Sequence, residues 1–590
     1  MRKYPTFLFL LGMLFILFGG CDKYSDHDKY KRPDWLPGKL YTSVLVQKNL
    51  SLFAECLRLT GLDTIINVSG SWTVFAPTDD AMRQYLAENN YSRVSDIPIK
   101  ELDKLTKFHI IQNQWSLLQL KTLGKDGWRT VDNAKSDSYA YKRETILRIS
   151  DEKYWIKREN KIERIVSDST IADRYKRVFT SSRKFVPIFY DQYYTVNGVK
   201  SEDYNFYFNR AFEPGNVYYG GAKIIQADIF AENGFVHIID RVVDPMLNAK
   251  ERLERKTHGE SYQLFLDMVY WYYPQFVLNM IATNRQPGVK YGAVVDTLWD
   301  LNYAPLAFNP QKEQFDIVNQ TLVKHNGLIA PIDAPFKKFI DEILTVKSGF
   351  PHWYDYKSLP LDVVDIIVGQ NFKSSPIYPS KSQYQKIFKG TSRFHQNEED
   401  IIRKDFGSNC TFIGLGSYIP DRVFTSVTAP VFCRPVFSIF RQAMVYSGAY
   451  DAIANHKGKL YFFPITDYSL MADSSLLVNW IDKDKNRYNF MAYNRQMHKM
   501  EFLSSKTLSD WILNQVGTST TGGDANKEII KTLGGNYLTW DHSNNTIQGT
   551  LPSTFGYKGN VIVTNSPFPM DEPTDNGKSL TVKNWFNFGN

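Results

Sequence analysis

The feature that most constrains the fold of this chain is a recurring pattern of helix, strand and proline. Residues 50–62 (LSLFAECLRLTGL) and 437–449 (FSIFRQAMVYSGA) both carry apolar residues at helical spacing. Each segment predicts a helix that stops at a glycine, Gly61 or Gly448, because glycine readily adopts the backbone conformation that ends a helix. Sixteen residues after each glycine, a proline ends a short apolar run that predicts a strand. A pattern repeated in this way predicts tandem domains.

The residues after each proline predict the start of a helix. Thr78 and Asp79 follow the first proline and Thr466 follows the last, so a hydroxyl or carboxylate can cap the helix. A third, divergent copy lies at residues 327–336 (GLIAPIDAPF), where Asp333 is the predicted cap. We therefore expect three prolines to occupy equivalent positions between a strand end and a helix start: Pro77, Pro331 and Pro464.

Three segments of the first copy resemble, in the same order, the signatures of the fasciclin-type adhesion domain. They are residues 73–82 (TVFAPTDDAM), 105–111 (LTKFHII, with Phe where the family has Tyr) and 233–240 (NGFVHIID). The positions that match the family motif, or its later copies, are Phe75, Pro77, Thr78, Asp79, His109, Gly234, His237, Asp240, Pro331, Asp333, Pro464 and Thr466. The resemblance implies structural roles for them in an α+β fold, with a mostly antiparallel β wedge packed on helices. Short β-branched and aromatic runs alternate with helical periods, which independently favours α+β.

The spacing between copies predicts the domain organisation. Pro77 and Pro331 are 254 residues apart, whereas Pro331 and Pro464 are 133 apart. The first domain therefore holds an insertion. The predicted order is a signal peptide (1–20), a flexible tether (21–38), domain 1 (39–246, with the insertion at about 125–218), a divergent domain 2 (257–432) and domain 3 (433–590).

The insertion is dense in charged and aromatic residues, including YWIKRENKIERI, FYDQYYTVNGV and YNFYFNRAF. Its alternating runs predict added strands and hairpins, and Asn197–Gly198 is a suitable hairpin turn. Tyr, Arg and Asn suit a polar contact surface, which favours a separate lobe that binds a partner. The alternative is an enlarged edge that only packs on domain 2.

The first twenty residues predict export and lipidation. Arg2 and Lys3 precede an apolar run at residues 7–18, which is too short to span a bilayer, and Gly19–Gly20–Cys21 follows. This resembles a bacterial lipobox and implies that Cys21 is acylated and begins the mature protein. The sequence resembles surface-exported lipoproteins of the Bacteroidota, which implies an outer-membrane anchor and a position facing the cell exterior. The alternative is an ordinary signal peptide with an incidental cysteine.

Candidate catalytic or metal-binding patterns do not emerge from the sequence. It contains no HExxH, CxxC, GxSxG, Walker loop or GxGxxG. His109 and His237 are interpreted as buried histidines with satisfied hydrogen bonds. Cys56 is interpreted as a buried thiol. The sequence does not decide whether Cys410 and Cys433 form a disulfide, which an exported protein could contain. We expect no enzymatic activity, no cofactor and no metal.

Two functions remain, both of them binding roles. Lys plus Arg minus Asp plus Glu is 70 − 62 = +8 without a dense basic run, which does not indicate nucleic acid as a partner. Lipidated fasciclin-domain proteins resemble accessory subunits of SusC/SusD-like importers, which implies importer proteins as partners and a glycan or a peptide as ligand. The family name also implies an adhesin that attaches the cell to a matrix or to another cell. Aromatic residues, 15% of the chain, suit sugars and peptides alike.

Overall fold

The structure is a computed structural model of the chain. It describes residues 38–68, 70–124, 127–128, 142–149, 155–158, 161–164, 182–257, 259–284, 292, 297–312, 325–346, 352–390, 393–472, 476–482, 487–494, 497–520, 526–549, 561–562 and 574–582. The chain divides into two compact units. The first unit comprises residues up to Lys121 together with Val217–Asp244, and the second comprises Thr122–Asn216 and Pro245–Asn590. The signal peptide, Cys21 and the tether up to residue 37 lie outside the described residues.

The first unit packs helices against one sheet. Its helices are Leu40–Leu45, Ser51–Leu59, Leu62–Val68, Asp79–Glu88, Ile99–Phe108 and Leu117–Thr122, and its strands are Trp72–Pro77, Ile110–Gln112, Tyr218–Tyr219, Ala222–Ala231 and Gly234–Ile239. Trp72–Pro77 pairs in parallel with Gly234–Ile239 and antiparallel with Ile110–Gln112. Gly61 follows the predicted helix with a φ of +70°, which confirms the glycine stop.

The second unit contains the insertion and the two later copies. The insertion forms strands Leu123–Gly124, Gly127–Trp128, Lys142–Ile149, Trp155–Arg158, Lys161–Arg164 and Ser182–Phe189 and helices Asp191–Asn197 and Ser201–Phe208. The middle copy has helices Ala249–Glu254, Gln263–Tyr272, Met280–Asn284, Asp333–Phe339, Leu361–Ile367 and Ser382–Tyr384 and strands Gln275–Leu278, Leu298–Asn302, Asn326–Pro331, Phe372–Lys373, Ile401–Phe406 and Cys410–Leu415. The last copy has helices Ala429–Cys433, Ser438–Ser447, Ala449–Ala454, Asp467–Ala472 and Ser505–Leu513 and strands Leu460–Phe462, Leu476–Asp482, Arg487–Asn494, Lys499–Phe502, Val516–Thr520, Lys527–Thr532, Tyr537–Asp541, Thr546–Gly549, Val561–Ile562 and Gly577–Ser579.

The strand pairing of the first unit recurs twice in the second unit. Asn326–Pro331 pairs in parallel with Cys410–Leu415 and antiparallel with Phe372–Lys373. Leu460–Phe462 pairs in parallel with Gly577–Ser579 and antiparallel with Val516–Thr520. Pro77 and Pro331 are the last residues of their strands, and Pro464 follows its strand by two residues. In each copy a helix begins two or three residues after the proline, as the sequence predicts. The α+β fold with mainly antiparallel sheets is likewise confirmed.

One apolar core runs through both later copies. It joins residues of the middle copy, such as Phe265 and Phe336, to residues of the last copy, such as Phe440 and Phe462. The predicted boundary at residue 433 falls inside the buried helix Ala429–Cys433. The two copies therefore share their hydrophobic interior, which explains why they form a single compact unit.

Many of the described aromatic side chains of the insertion are core residues, and for these the interpretation as a contact surface is wrong. Among them are the buried tyrosines Tyr190, Tyr193, Tyr194, Tyr204 and Tyr207. The Tyr207 hydroxyl donates to the Ile377 carbonyl at 2.5 Å, and the Tyr193 hydroxyl lies 3.1 Å from that of Tyr378. Tyrosine was misjudged because its ring packs in a core while its hydroxyl finds a buried acceptor.

The predicted hairpin turn at Asn197–Gly198 is also wrong. Asn197 is the last residue of the helix Asp191–Asn197, and Gly198 ends that helix with a φ of +54°. The same dipeptide serves both purposes because a left-handed glycine suits a hairpin turn and a helix C-terminus equally well.

Candidate functional site

An aspartate follows each motif proline and is the first residue of a helix. Its carboxylate does not cap that helix but caps the N-terminus of an earlier one. Asp79 accepts hydrogen bonds from the Leu52 amide at 2.8 Å and the Ser51 hydroxyl at 2.7 Å, at the start of the helix Ser51–Leu59. Asp333 accepts from the Leu264 amide at 2.8 Å and the Ser261 hydroxyl at 2.5 Å. The prediction that Asp333 caps its own helix is therefore wrong, because its carboxylate turns toward the positive end of an earlier helix.

The last copy makes the same contact with an aspartate three residues after its proline, whereas in the other two copies the aspartate is two residues after it. Asp467 accepts from the amides of Ser438, at 3.0 Å, and Ile439, at 2.8 Å. Burial raises the pKa of Asp467 to about 6. The three aspartates therefore each join the strand–proline segment to the preceding helix of its copy.

The predicted hydroxyl caps are present. Thr78 Oγ1 accepts from the Ala81 amide at 3.1 Å, and Thr466 Oγ1 accepts from the Ser469 amide at 3.4 Å. These threonines cap the helices that follow Pro77 and Pro464, as the sequence predicts.

The two motif histidines lie in the core with both ring nitrogens hydrogen-bonded. His109 Nδ1 donates to the Leu105 carbonyl at 2.8 Å, and its Nε2 accepts from the Val243 amide at 3.1 Å. His237 Nε2 donates to the Trp115 carbonyl at 2.9 Å, and its Nδ1 accepts from the Asp228 amide at 3.2 Å. Burial lowers the pKa of His109 to about 4 and also lowers that of His237. Both are neutral structural groups, as predicted.

The remaining motif residues of the first unit also serve the fold. The Phe75 ring stacks on Tyr219 with centroids 4.0 Å apart. Asp240 accepts from the Lys223 amide at 2.8 Å, and Gly234 pairs directly with Trp72 at the start of the parallel strands. The motif therefore builds a core and presents no exposed constellation of polar groups.

A cleft in the second unit is lined mainly by charged and polar side chains. It is open to solvent and has a volume of about 490 Å³. Its wall is assembled from separate segments of the middle and last copies: Gln370, Lys373, Gln383, Lys386, Ile387, Arg393, Phe394, Arg422, Asp451, Asn455 and Lys457. We name it the basic cleft, because five of these residues are cationic and one is acidic. No sequence motif indicates this cleft, since no two of the five cations are less than seven residues apart.

Ion pairs fix one wall of the basic cleft. Arg393 Nε lies 2.9 Å from a carboxylate oxygen of Asp421, whose side chain is fully buried. Arg393 Nη1 lies 3.3 Å from Asp451, and its guanidinium lies over the Tyr450 ring at 4.6 Å. Burial lowers the pKa of Lys373, whose Nζ is 5.8 Å from the Phe394 ring centroid. Arg393 is thus held rigidly, which reduces the entropy lost when a ligand binds.

Comparison with known families identifies the first copy. The family model of the Fasciclin domain matches residues 48–174 and 177–245. Residues 48–245 therefore contain a fasciclin domain. Its matched region includes all of the motif residues from Phe75 to Asp240.

A structure of a FAS1 domain pair from the insect cell adhesion molecule fasciclin I is also similar to the chain. The identity is 13%, and the match covers 62% of this chain and 95% of that one, with a TM-score of 0.18. A search of curated proteins finds no match to this sequence.

In the described part of the chain, no group of three or more His, Cys, Asp and Glu side chains is arranged to hold a metal ion. Within the same residues, no helix is long and apolar enough to cross a membrane.

The aspartate contact in the fasciclin domain provides a stability test. We expect Asp79→Ala to lower the free energy of unfolding of the first unit by about 2 kcal/mol, because it removes two charge-assisted hydrogen bonds at a helix N-terminus. Asp80→Ala is the matched control. Asp80 is exposed and pairs only with the exposed Arg83, so we expect less than about 0.5 kcal/mol. Thermal unfolding of both variants provides the comparison, and equal losses would contradict the proposed role of Asp79.

Proposed function

We propose that this protein is a non-enzymatic binding protein of the cell surface, anchored to the outer membrane by lipid on Cys21 and facing the cell exterior. In this proposal it is an accessory subunit of a SusC/SusD-like importer and captures a glycan or peptide. The basic cleft carries the proposal, because it is an open and preformed cavity of a size that suits ligands. The cleft lies outside the matched fasciclin domain, so the motif serves the scaffold and the later copies supply the site.

We also propose that the two later copies are fasciclin-type domains, which makes three in all. The support is the strand pairing that all three copies share. In each, the strand that precedes the motif aspartate lies between a parallel partner and an antiparallel one. The shared aspartate contact to the preceding helix supports the same assignment.

An adhesin is the second candidate function, and the fasciclin domain itself favours it. This family is associated with adhesion, and an adhesin would use the same lipid anchor and exterior position. The two functions differ in their partner: an accessory subunit stays with importer proteins of its own membrane, whereas an adhesin binds a matrix or another cell.

One purification tests the anchor and the partner together. We expect the wild-type chain to incorporate a palmitate analogue and to be isolated from gently solubilised outer membranes with importer proteins. Cys21→Ala is expected to remain unlabelled and to leave the membrane fraction, since several acyl chains are needed for stable anchoring and each buried methylene contributes about 0.8 kcal/mol.

An unlabelled wild-type chain would contradict the anchor. A labelled chain that is isolated without importer proteins, yet attaches cells to a surface, would replace the accessory role with the adhesin role.

A further inference from the structure

We propose that the basic cleft binds an acidic saccharide, a glycan segment that carries carboxylates beside its hydroxyl groups. This inference rests on the proposed function as a binding protein and names the ligand class. Three properties of the cleft lead to it: its charge, its buried polar atoms without partners and its amide side chains.

The charge of the cleft favours an anion. Five cations line it: Lys373, Lys386, Arg393, Arg422 and Lys457. Asp451 is the single acid among the lining residues, and it lies within 3.3 Å of Arg393. The lining is therefore strongly positive, and a cleft lined by one sign of charge concentrates ligands of the opposite sign.

Two buried polar atoms in the wall lack hydrogen-bond partners among the residues that the structure describes. Arg393 Nη1 is a donor without an acceptor in hydrogen-bond geometry, although it lies close to Asp451. Asn455 Oδ1 is an acceptor without a donor. Leaving buried polar groups without hydrogen-bond partners is unfavourable. A ligand that satisfies both must carry an acceptor and a donor, as a carboxylate with neighbouring hydroxyl groups does.

The amide side chains favour a saccharide. Gln370, Gln383 and Asn455 add amide groups that can pair with hydroxyls. A peptide that adds a strand needs an exposed strand edge, but the strand that lines the cleft, Phe372–Lys373, has only two residues. Phe394 is 8% exposed, which leaves little ring surface for stacking a nucleic-acid base.

The test measures binding of trigalacturonate to the full-length chain in detergent by calorimetry. We expect binding that weakens as salt increases, and at least tenfold weaker binding of the methyl-esterified trimer, which keeps the shape but loses the charge. The double variant Arg422→Gln/Lys457→Gln is expected to weaken trigalacturonate binding about tenfold or more. Lys459→Gln is the matched control, because Lys459 is exposed, lies two residues from Lys457 and does not line the cleft. We expect it to change binding less than twofold.

Four results would overturn the proposal: no binding of trigalacturonate, equal binding of the ester, unchanged binding by the double variant, or equally tight binding of triglutamate. The last result would assign the cleft to acidic peptides. None of these results affects co-purification with importer proteins, so failure of the ligand class is distinguishable from failure of the proposed function.

Discussion

Replacing residues 125–216 with a short Gly/Ser linker is expected to unfold the second unit. The insertion contributes at least five buried tyrosines to the interior of the second unit. Truncating one buried aromatic side chain typically costs about 3–5 kcal/mol, and a typical domain has a stability of only about 5–15 kcal/mol. Removing all five tyrosines would therefore cost more free energy than the expected stability of the second unit.

Polar contacts add to this loss. Lys184 Nζ lies 2.5 Å from the Glu251 carboxylate and also donates to the Met246 carbonyl at 3.1 Å. Lys142 Nζ donates to the Ser408 carbonyl at 2.6 Å. Deleting the lysines would leave their buried acceptors unsatisfied, which is itself unfavourable.

Hydrogen exchange read by mass spectrometry follows the second unit directly. We expect amides in Asn326–Pro331 and Cys410–Leu415 to lose protection. A milder pair of variants serves as control: Tyr207→Ala removes the ring that packs against Phe406, whereas Tyr207→Phe removes only the hydroxyl. We expect the alanine variant to lose several times more stability than the phenylalanine variant. If the linker variant keeps full protection in the second unit, the insertion is a separate lobe after all.

The sequence predicts correctly those parts of the fold that local interactions determine. The glycine stops, the threonine caps and the strand that ends at each proline depend on residues that are neighbours in the chain. Asp333 was misassigned because its partner, Leu264, is 69 residues away, and spacing alone cannot show which helix a carboxylate faces. The local pattern was correct, whereas the long-range partner required the structure.

The basic cleft could not be predicted for a related reason. Its cations come from different segments of two copies, so no local motif joins them. The insertion shows the opposite error. Its composition is aromatic, but composition does not distinguish a buried tyrosine from an exposed one. The Tyr207 hydroxyl, for example, donates to the Ile377 carbonyl inside the core.

Substituting Gly234 is expected to be the most damaging single change in the fasciclin domain. Gly234 begins the strand that pairs in parallel with Trp72–Pro77. A Cβ atom added at this position would lie 1.8 Å from the Trp72 carbonyl oxygen, which is far inside van der Waals contact. The backbone of one strand must shift to relieve the clash, and the parallel pairing that closes the sheet of the first unit would be disrupted.

In the last copy, too, a glycine approaches a carbonyl oxygen of the parallel partner strand, so the first and last copies share this close contact. A Cβ atom at Gly577 would lie 1.9 Å from the Leu460 carbonyl oxygen, at the start of the corresponding parallel pair. In the middle copy Cys410 occupies this position opposite Asn326. The middle copy therefore accommodates a side chain here, which agrees with its greater divergence in sequence.

We expect Gly234→Ala to destabilise the first unit by more than about 4 kcal/mol, which corresponds to a fall in Tm of more than about 10 °C, or to prevent its folding. Gly61→Ala is the matched control, because Gly61 also has a positive φ but has open space around it. The control should lose only about 1–2 kcal/mol, the penalty for placing a side chain in the left-handed region. Thermal unfolding of the two variants measures the difference. Equal losses would mean that the parallel strands can separate locally at Trp72 without weakening the sheet, and that the glycine is not required by the close approach.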